Sequence, residues 1–526
     1  MVKLKAKPPI EIGMMAEENN LKASNGVSPV GFSQVTMPMG IPKIFKDARR
    51  GHARSKGQVL IQVIVFGSIA VYVLGSFASW VTINVRVSRQ TFNREQALQA
   101  AEAGIDYYRW HLAHSPTDFQ DGTGGPGPYV HDFRDKDGNV IGQFSLTITP
   151  PALGSSLVVV ESTGNLNADT PVSRKIAAEL AKPSIAKYAV VANDFMRFGS
   201  GTEVFGPIHS NQGIRFDGLA HNVISSAVAS YNDPDHSGGN EFGVHTHVAP
   251  TDPLPPFPVP ARTDIFEVGR QFPVPAVDFA GITADLAQMK TDAEANGFYR
   301  PSAGALGYHI VLRTNDTFDL YRVTGRVNPP SGCTNNQNQS GWSTWSIQNQ
   351  QLIGNFPFPA NGIIFLEDDI FVDGQINGGR LTIVAAFLPD NPPFRKNIIV
   401  NNDLLYTNYD GSDVLGLIAQ GNINVGMVSD NDLRIDAALI AQNGRVGRHY
   451  YRPPGGGSQR CSPYHTRQTI TLWGMIATNL RYGFAYTDGT GYQIRSLNYD
   501  GSLLYAPPPS FPLTSDQYVT LSWEEK

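Results

Sequence analysis

Five histidines in the middle of the chain carry side chains that could ligate a metal ion. They are His209, His221, His236, His245 and His247. His245 and His247 are two residues apart, so on a β-strand both imidazoles would lie on the same face, within reach of one ion. No spacing matches HExxH or another defined metal motif. We therefore expect these histidines in turns or at the surface, and predict neither a metal site nor a cofactor.

Four carboxylates form a second group that could do chemistry: Glu367, Asp368, Asp369 and Asp373. Paired carboxylates are the acid and base of sugar hydrolases, so this group could imitate the site of a β-helix polysaccharide hydrolase. Aspartate is also favoured in turns between strands, and we expect that role here. No nucleophile elbow, P-loop or dinucleotide fingerprint occurs. The sequence therefore predicts a protein that is not an enzyme, and a membrane-anchored, carbohydrate-active β-helix enzyme is the alternative.

The two cysteines, Cys333 and Cys461, lie in polar, glycine-rich segments. They lack CxxC spacing, which argues against a zinc ribbon. On the exported side of a membrane, where disulfides persist, they could pair and tie two insertions together. Nothing in the sequence fixes the distance between them, so two free thiols remain the alternative.

The element that would carry all these residues out of the cytoplasm is an uncharged stretch from Gly57 to Val85. Its 29 residues would form a helix about 43 Å long, enough to cross a hydrocarbon core of about 30 Å. Basic residues are denser before this stretch than after it: Lys43, Lys46, Arg49, Arg50, Arg54 and Lys56 precede it. We predict a single-pass protein of the cytoplasmic membrane with a cytoplasmic N-terminus and an exported C-terminal part. The polar composition of residues 1–57, which lack apolar periodicity, predicts a disordered cytoplasmic leader.

The helix is predicted to continue beyond the membrane, over residues 58–113, because no proline occurs between Gly57 and Pro116. Apolar residues recur there at spacings of three and four and predict one buried helix face, made of Leu98, Ala101, Ile105, Tyr108 and Leu112. The small residues of "AAEAG" (100–104) would let this helix approach a neighbour closely. A juxtamembrane stalk would show the same periodicity.

The segments "KGQVLIQVIVFGSIAVYVLG" and "NREQALQAAEAGIDYYRWHL" lie within residues 56–113. They resemble the N-terminal region of PilX-type minor pilins and of pilin-like proteins of type IV pilus and type II secretion machinery. In that family prepilin peptidase cuts a basic leader after its final glycine, and the mature helix packs in a filament core. The resemblance implies cleavage between Gly57 and Gln58, with other pilins or pseudopilins, prepilin peptidase and the lipid bilayer as partners. It also implies helix-packing positions at Gln62, Ala101, Glu102, Ala103 and Gly104.

The sequence departs from that family in three places. Gln58 stands where the mature chain usually begins with an apolar residue, and Gln62 stands where the fifth mature residue is usually glutamate. The leader is also long, unless translation starts at Met37 or Met39. A static envelope protein with an uncleaved anchor is therefore a second alternative.

Residues 114–182 predict a small antiparallel sheet of the kind that forms a pilin head, which makes the N-terminal part α+β. The "DKDG" at 135–138 predicts a hairpin turn. Asp135, Asp137 and Asn139 imitate a calcium loop, but the glutamate at loop position twelve is missing, so we expect only a turn.

Residues 183–526 predict a mostly β body of the right-handed β-solenoid-like class. The 52 glycines and 37 prolines of the chain favour short strands and many turns. Ile-Ala pairs at positions 418, 440 and 476 suggest stacked β-coils, and a β-sandwich is the alternative. A proline-rich and helical insertion is predicted at about 249–300, with a helix over 282–299 whose buried face carries Leu286, Met289 and Ala293.

Together these patterns predict a minor pilin-like subunit of a type IV pilus or a related filament or secretion apparatus. The large body and the neutral Gln62 favour a place at the filament tip over a repeated place in the shaft. There the body would serve assembly, or adhesion to a surface or a polysaccharide. The net charge of −5 indicates no nucleic-acid partner.

Overall fold

The computed structural model of the protein describes residues 58–167, 172–279, 281–335, 337–513, 515 and 517–526. The predicted leader, with Gly57 at its end, lies outside the described residues. By their internal contacts the described residues divide into two units, one that ends at Trp80 and one that spans Val81–Lys526.

Helix α1 (Gln58–His114) runs without a break for 57 residues, close to the predicted 58–113. Its side chains from Val59 to Phe92 are exposed on all sides of the helix, although most of them are apolar. Among the described residues it is the one helix that is long and apolar enough to cross a membrane.

The second half of α1 is amphipathic and packs on a small sheet. Ala101, Ile105, Tyr108 and Leu112 are buried there, and Leu98 packs against them, which confirms the predicted face. The opposite face is exposed and carries Glu95, Gln99, Glu102, Asp106 and Arg109. The 3.6-residue period therefore selects which side of the helix meets the sheet.

The small sheet begins with four antiparallel strands in the order β1 to β4. They are β1 (Tyr129–Arg134), β2 (Val140–Thr149), β3 (Val158–Leu166) and β4 (Ser173–Ala181). Buried and less buried residues alternate along β3, so Val158 and Val160 join the core beneath α1. The turn between β1 and β2 is the expected one, because the Asp135 carboxylate accepts the amides of Asp137 and Asn139.

Two glycines allow α1 and the sheet to touch. A Cβ added at Gly164 would overlap the carbonyl oxygen of Ala97, and one added at Gly104 would overlap the hydroxyl of Ser162. The small residues of α1 thus meet the chain's own sheet, and Phe144 completes the contact. Larger side chains at either glycine would push the helix away.

The body begins with short strands. They are β5 (Val190–Ala192), β6 (Met196–Phe198), β7 (Thr202–Phe205), β8 (Ile208–Ser210), β9 (Ile214–Phe216), β10 (Leu219–Ala220), β11 (Ile224–Ser226), β12 (Ser230–Tyr231), β13 (Glu241–Phe242), β14 (Val244–His245) and β15 (Arg270–Gln271). Helix α2 (Gly281–Asn296) follows, and its Leu286, Met289 and Ala293 are buried as predicted. The helix is shorter than the predicted 282–299, because Phe298 and Tyr299 begin a strand instead.

The rest of the body contains longer strands. They are β16 (Phe298–Arg300), β17 (Tyr308–Arg313), β18 (Thr317–Arg326), β19 (Ile347–Pro357), β20 (Ile363–Leu366), β21 (Ile370–Ile376), β22 (Arg380–Ala385), β23 (Ile398–Ile399), β24 (Leu404–Tyr406), β25 (Val414–Ala419), β26 (Ile423–Val425), β27 (Asp432–Ala441), β28 (Val446–Arg448), β29 (Thr466–Thr478) and β30 (Gly491–Tyr499). Short 3₁₀ helices span Ile185–Lys187, Pro392–Phe394 and Gly501–Leu504.

Most body strands pair in parallel and in register with other body strands. One ladder of buried aliphatic side chains runs through seven such strands: Ile383, Leu417, Leu439, Ile476, Val190, Ile208 and Ile224. The paired strands thus bury their apolar side chains against one another in one core cluster. The described body is thus a mostly β structure, as predicted.

The register corrects one detail of the predicted repeat. Ile418 pairs with Ile440 as the repeat requires, but Ile440 then pairs with Ala477. Ile476 pairs with Leu439 instead and lies in a different core cluster from Ile440. A shift of one residue moves a side chain to the other face of a strand, so the third Ile-Ala pair is not equivalent to the first two.

The chain enters the stack in its interior. Along one side the parallel partners follow the order β16, β20, β22, β25, β27, β29, β5, β8, β11 and β15. The first body strand, β5, therefore lies beside one of the last, β29. Asparagines continue the stacking across this junction, because Asn193 donates to Asn479 (2.8 Å) and Asn211 donates to Asn193 (2.8 Å). Residues 272–297 connect the two ends of the series.

The last strand, β31 (Val519–Glu525), leaves the body and pairs antiparallel with β4. The small sheet therefore has five strands, and Val519 lies opposite Ala181. The sequence analysis assigned all of 183–526 to the body. In the structure the body is instead an insertion between the fourth and fifth strands of the small sheet, a pairing of distant segments that periodicity does not reveal.

Gly164→Ala should lower the local free energy of unfolding of the small sheet by about 1–3 kcal/mol, because the new methyl group would overlap α1. Amide hydrogen exchange of β2 and β3 in the detergent-solubilised chain measures this quantity. Gly125→Ala is the matched control, since nothing lies within 4 Å of the Cβ that it adds. In the Gly125→Ala variant the free energy of local unfolding should change by no more than ~0.5 kcal/mol. Equal protection in the two variants would contradict the described contact.

Candidate functional site

The pilin resemblance singles out a cleavage position at the start of α1 and a packing position, Gln62, in its N-terminal half. Gly57 and the side chain of Gln58 lie outside the described residues, whereas Gln62 is exposed. Around it, Phe66 is 69% exposed and Tyr72 is 78% exposed. A helix that is apolar on all sides is stable only in an apolar environment, such as a bilayer or a bundle of similar helices.

The predicted packing positions in "AAEAG" have different surroundings. Ala101 and Gly104 are buried against the small sheet of the same chain. Glu102 is exposed and Ala103 is half-buried. Only the outer side of this segment is therefore free to face another molecule.

The acidic run after β20 is held by partners within the chain. Glu367 accepts a hydrogen bond from Lys290 (2.6 Å) and another from the Tyr299 hydroxyl (3.0 Å). Asp368 accepts from the Ser302 hydroxyl (2.8 Å). Both carboxylates are largely buried, so each is fixed in a separate structural contact.

Asp369 and Asp373 are paired in the same way. Asp369 contacts Arg326 (3.2 Å) and accepts the amide of Asn397 (2.9 Å). Asp373 accepts a hydrogen bond from His309 (3.0 Å). Burial raises the pKa of the Asp373 carboxyl, but the bonds that it accepts outweigh this effect and hold the pKa below its usual range. The four acidic residues therefore have individual partners within the chain.

Two depressions in the surface of the body differ in size, and one of them lies beside the acidic run. A cavity of about 170 Å³ beside Asp373 and His309 is smaller than the roughly 300–1,000 Å³ of most ligand pockets. A more open groove of about 540 Å³ lies along the asparagine series and is lined by Asn193, Tyr231 and Asn479 among others. The larger depression therefore lies along the side of the stack.

His209 and His221 lie apart from the other three histidines. His209 is fully buried between Ser225 and Asn211, and burial lowers its pKa. His221 pairs with Glu267 (2.9 Å) and stacks on a phenylalanine ring. The expectation of turn or surface positions is therefore wrong for His209, which lies on a strand inside the body.

The other three histidines converge on Glu241. His236 Nδ1 lies 2.8 Å from its Oε1 atom, and His247 Nε2 lies 2.9 Å from its Oε2 atom. His245 also contacts Oε2 and is only 1% exposed, which again differs from the surface expectation.

Two of these histidines and two carboxylates form a compact group, here named the histidine–carboxylate cluster: Asp233, Glu241, His245 and His247. Each offers one ligand atom, and these atoms all lie within 4.8 Å of one another. The sequence analysis considered the histidines and missed both carboxylates. Glu241, His245 and His247 are separated by even numbers of residues, and this spacing was the signal available in the sequence. Asp233 reaches the cluster from a separate segment.

Short strands position the cluster. Glu241 lies on β13 opposite Tyr231, and His245 lies on β14 opposite Arg215. Gly243 joins the two strands and passes so close to the Val228 carbonyl that a Cβ would overlap it. Glycine is therefore required for the bend that turns Glu241 and His245 toward each other.

Asp233 is ionised in this environment. Burial raises the pKa of its carboxyl, but His245, the Asp235 amide and Arg215 more than offset that effect and lower the pKa to about 2. The lowered pKa favours the carboxylate form of Asp233.

The two cysteines are joined in a disulfide with a Cα–Cα distance of 4.7 Å. Both are buried and pack with Met427 and Tyr451. The Tyr451 hydroxyl donates to the carbonyl of Ser343 (2.9 Å), so noncovalent contacts join the same two loops.

Comparison with known proteins gives little support for a specific relationship. No protein-family profile and no curated protein matches the chain. Among solved structures, the crystal structure of the competence-associated pilin ComZ from Thermus thermophilus aligns with 83% of this chain and 98% of its own. The identity is 13% and the TM-score is 0.27. A TM-score this low does not establish a shared fold.

The disulfide should be detectable in the purified parent protein without any variant. Denatured, unreduced chain should bind no maleimide, and reduction should expose two reactive thiols, as counted by intact-mass spectrometry. Reduction should also lower the free energy of unfolding by about 4–5 kcal/mol in the chain-entropy model, because the bond closes a loop with a separation of 128 residues. Two maleimides on unreduced chain would contradict the pairing.

Proposed function

We propose that the protein is a membrane-inserted, pilin-like minor subunit of a type IV pilus or of a related filament or secretion apparatus. Its β-rich body is presented at the filament tip for assembly or adhesion. The observation that carries the proposal is helix α1, which is exposed and apolar in its first half and packs on a small antiparallel sheet in its second half.

The two halves of α1 support two different contacts. The exposed half offers apolar side chains to lipid before assembly and to neighbouring pilin helices after it. The buried half is fixed to the chain's own sheet through Gly104 and Gly164. One continuous helix therefore forms the anchor and then packs on the sheet of the head, as the pilin resemblance implies.

The inserted body supports a place at the tip. Residues 182–518 lie between β4 and β31, so the head carries a body several times its own size. Helically stacked subunits leave little lateral room, and such bulk would collide with neighbours along a shaft. At the tip nothing is stacked above, and the in-register coils, which support the β-solenoid-like class, are free to project.

Gln62 also supports a tip position. In pilins a glutamate usually stands there, and by resemblance its carboxylate meets the terminal ammonium of a neighbouring subunit in the apolar bundle. A charge buried there is costly without a partner. Gln62 is neutral and cannot offset that charge, so repeated docking of this chain along a shaft is disfavoured.

The charge distribution and the disulfide support the orientation. The basic residues before Gly57 favour a cytoplasmic N-terminus. The buried bond between Cys333 and Cys461 is of the kind that persists outside the cytoplasm. The separate ion pairs of Glu367 and Asp369 support a structural role for the acidic run and hence a protein that is not an enzyme.

Antibodies against the body, residues 190–499, should label filaments sparsely and only at their ends in immunogold electron microscopy. An antibody against the major shaft subunit of the same filaments serves as the control and should label along their length. Regular labelling of the shaft by the body antibody would remove the tip assignment. A Gln62→Glu variant that remains at the ends would indicate that bulk, rather than the missing charge, sets the position.

Protease added to intact spheroplasts should degrade the region after residue 116 and leave residues 1–50 protected. Immunoblots with antibodies to the two regions read out this result. The same digestion after detergent lysis is the control, in which both regions should be cut. Protection of the body together with loss of residues 1–50 would show the opposite orientation.

A further inference from the structure

We propose that the histidine–carboxylate cluster binds one divalent transition-metal ion of the zinc class. The cluster lies in the segment of the body that contains the short strands β12, β13 and β14. Its role would be structural, because four protein ligands close the coordination shell of such an ion.

The distances within the cluster fit one ion. Nitrogen and oxygen ligands lie about 2.0–2.1 Å from zinc, which places tetrahedral ligands about 3.3 Å apart. His247 Nε2 lies 2.9 Å from Glu241 Oε2, and His245 Nε2 lies 3.6 Å from Asp233 Oδ2. These two separations lie on either side of the tetrahedral value, whereas His245 Nε2 lies closer than this to Glu241 Oε2. All four ligand atoms lie within 4.8 Å of one another, so the side chains would rearrange within this space to bind the ion.

The hydrogen bonding of His245 leaves its other nitrogen directed into the cluster. Its Nδ1 atom lies 3.3 Å from the Phe242 carbonyl, which can only accept, so Nδ1 carries the hydrogen. In the neutral imidazole, Nε2 then presents a lone pair. A backbone carbonyl in this position is the usual outer partner of a metal-bound histidine, because it fixes both the tautomer and the ring orientation.

That lone pair faces atoms that are also acceptors. Nε2 of His245 contacts Oε2 of Glu241 and lies 3.6 Å from Oδ2 of Asp233. Neither this nitrogen nor Oδ2 of Asp233 makes a hydrogen bond of suitable geometry, and both residues are at least 98% buried. Unpaired buried acceptors are costly, and two that face each other repel. A cation between them satisfies both atoms at once.

The charges around the cluster leave room for such a cation. Among the described residues, Arg215 is the one arginine or lysine that contacts either ligand carboxylate, at 3.6 Å from Asp233. It also binds Asp217 (2.8 Å), whose carboxylate accepts the His247 amide. The guanidinium is therefore shared, and one divalent ion would balance the charges of Asp233 and Glu241.

The donor set indicates the class of ion. Imidazole suits zinc and similar transition metals, whereas calcium and magnesium prefer shells made of oxygen alone. No thiol is present in the cluster, so soft ions such as copper(I) are disfavoured. His236 holds the other oxygen of Glu241 (2.8 Å) and thereby helps to orient it.

The test uses the full, untagged chain in detergent after treatment with a chelator and dialysis. Zinc chloride should restore one bound zinc per chain, as measured by elemental mass spectrometry after gel filtration, and should raise the melting temperature. Cobalt(II) in place of zinc should give the visible absorption of a tetrahedral nitrogen–oxygen site. X-ray absorption of the zinc-loaded parent chain should show imidazole among the ligands, and this readout needs no variant.

Two variants and a matched control assign the ion to the cluster. His245→Ala and Glu241→Gln should each weaken zinc binding at least about tenfold. His221→Ala should bind zinc like the parent, because His221 pairs with Glu267 outside the cluster. Circular dichroism checks that each variant is folded.

Three results would overturn the proposal. The first is a parent chain that retains no zinc after gel filtration, and the second is unchanged zinc binding in a folded His245→Ala variant. The third is a melting temperature that follows the protonation of histidine but not added metal. That result would mean that the cluster is a network of protonated histidines and carboxylates.

Discussion

The pairing of β31 with β4 is the constraint on which the arrangement of residues 81–526 depends. Val519 lies opposite Ala181, so the chain must return to the place from which it left after building the whole body. A stack of coils that simply ran from one end to the other would separate its two termini by its full length. The chain avoids this by entering beside its exit, with β5 next to β29.

This solution explains the long connection in the middle of the body. From β5 the series of paired strands extends in one direction to β15, whereas β16 begins it at the opposite end. Residues 272–297 span the two, and helix α2 buries Leu286 and Met289 against the same core cluster as Ile363. The sequence suggests that this segment merely interrupts the body. In the structure it is the connection that makes an insertion of this size compatible with a five-stranded sheet.

Local patterns predicted the helices and much of the core, whereas distant pairings were out of reach. The spacing of Ala101, Ile105 and Tyr108 identifies the buried face of α1 because helix periodicity is a property of neighbouring residues. No local signal shows that Val519 meets Ala181, or that Ile440 pairs with Ala477 and not Ile476. The cluster around Glu241 was missed for the same reason, since Asp233 joins it from a separate segment and the even spacing of Glu241, His245 and His247 is its one local signal.

An exposed apolar helix leads into the small sheet and its inserted body, and the proposed function depends on how that helix is processed. The most direct measurement is mass spectrometry of the mature N-terminus, on protein isolated from membranes of cells with active prepilin peptidase. The account predicts a chain that begins at Gln58. A chain that retains the residues before Gly57 in those cells would contradict the pilin-like assignment and would favour a static, uncleaved membrane anchor.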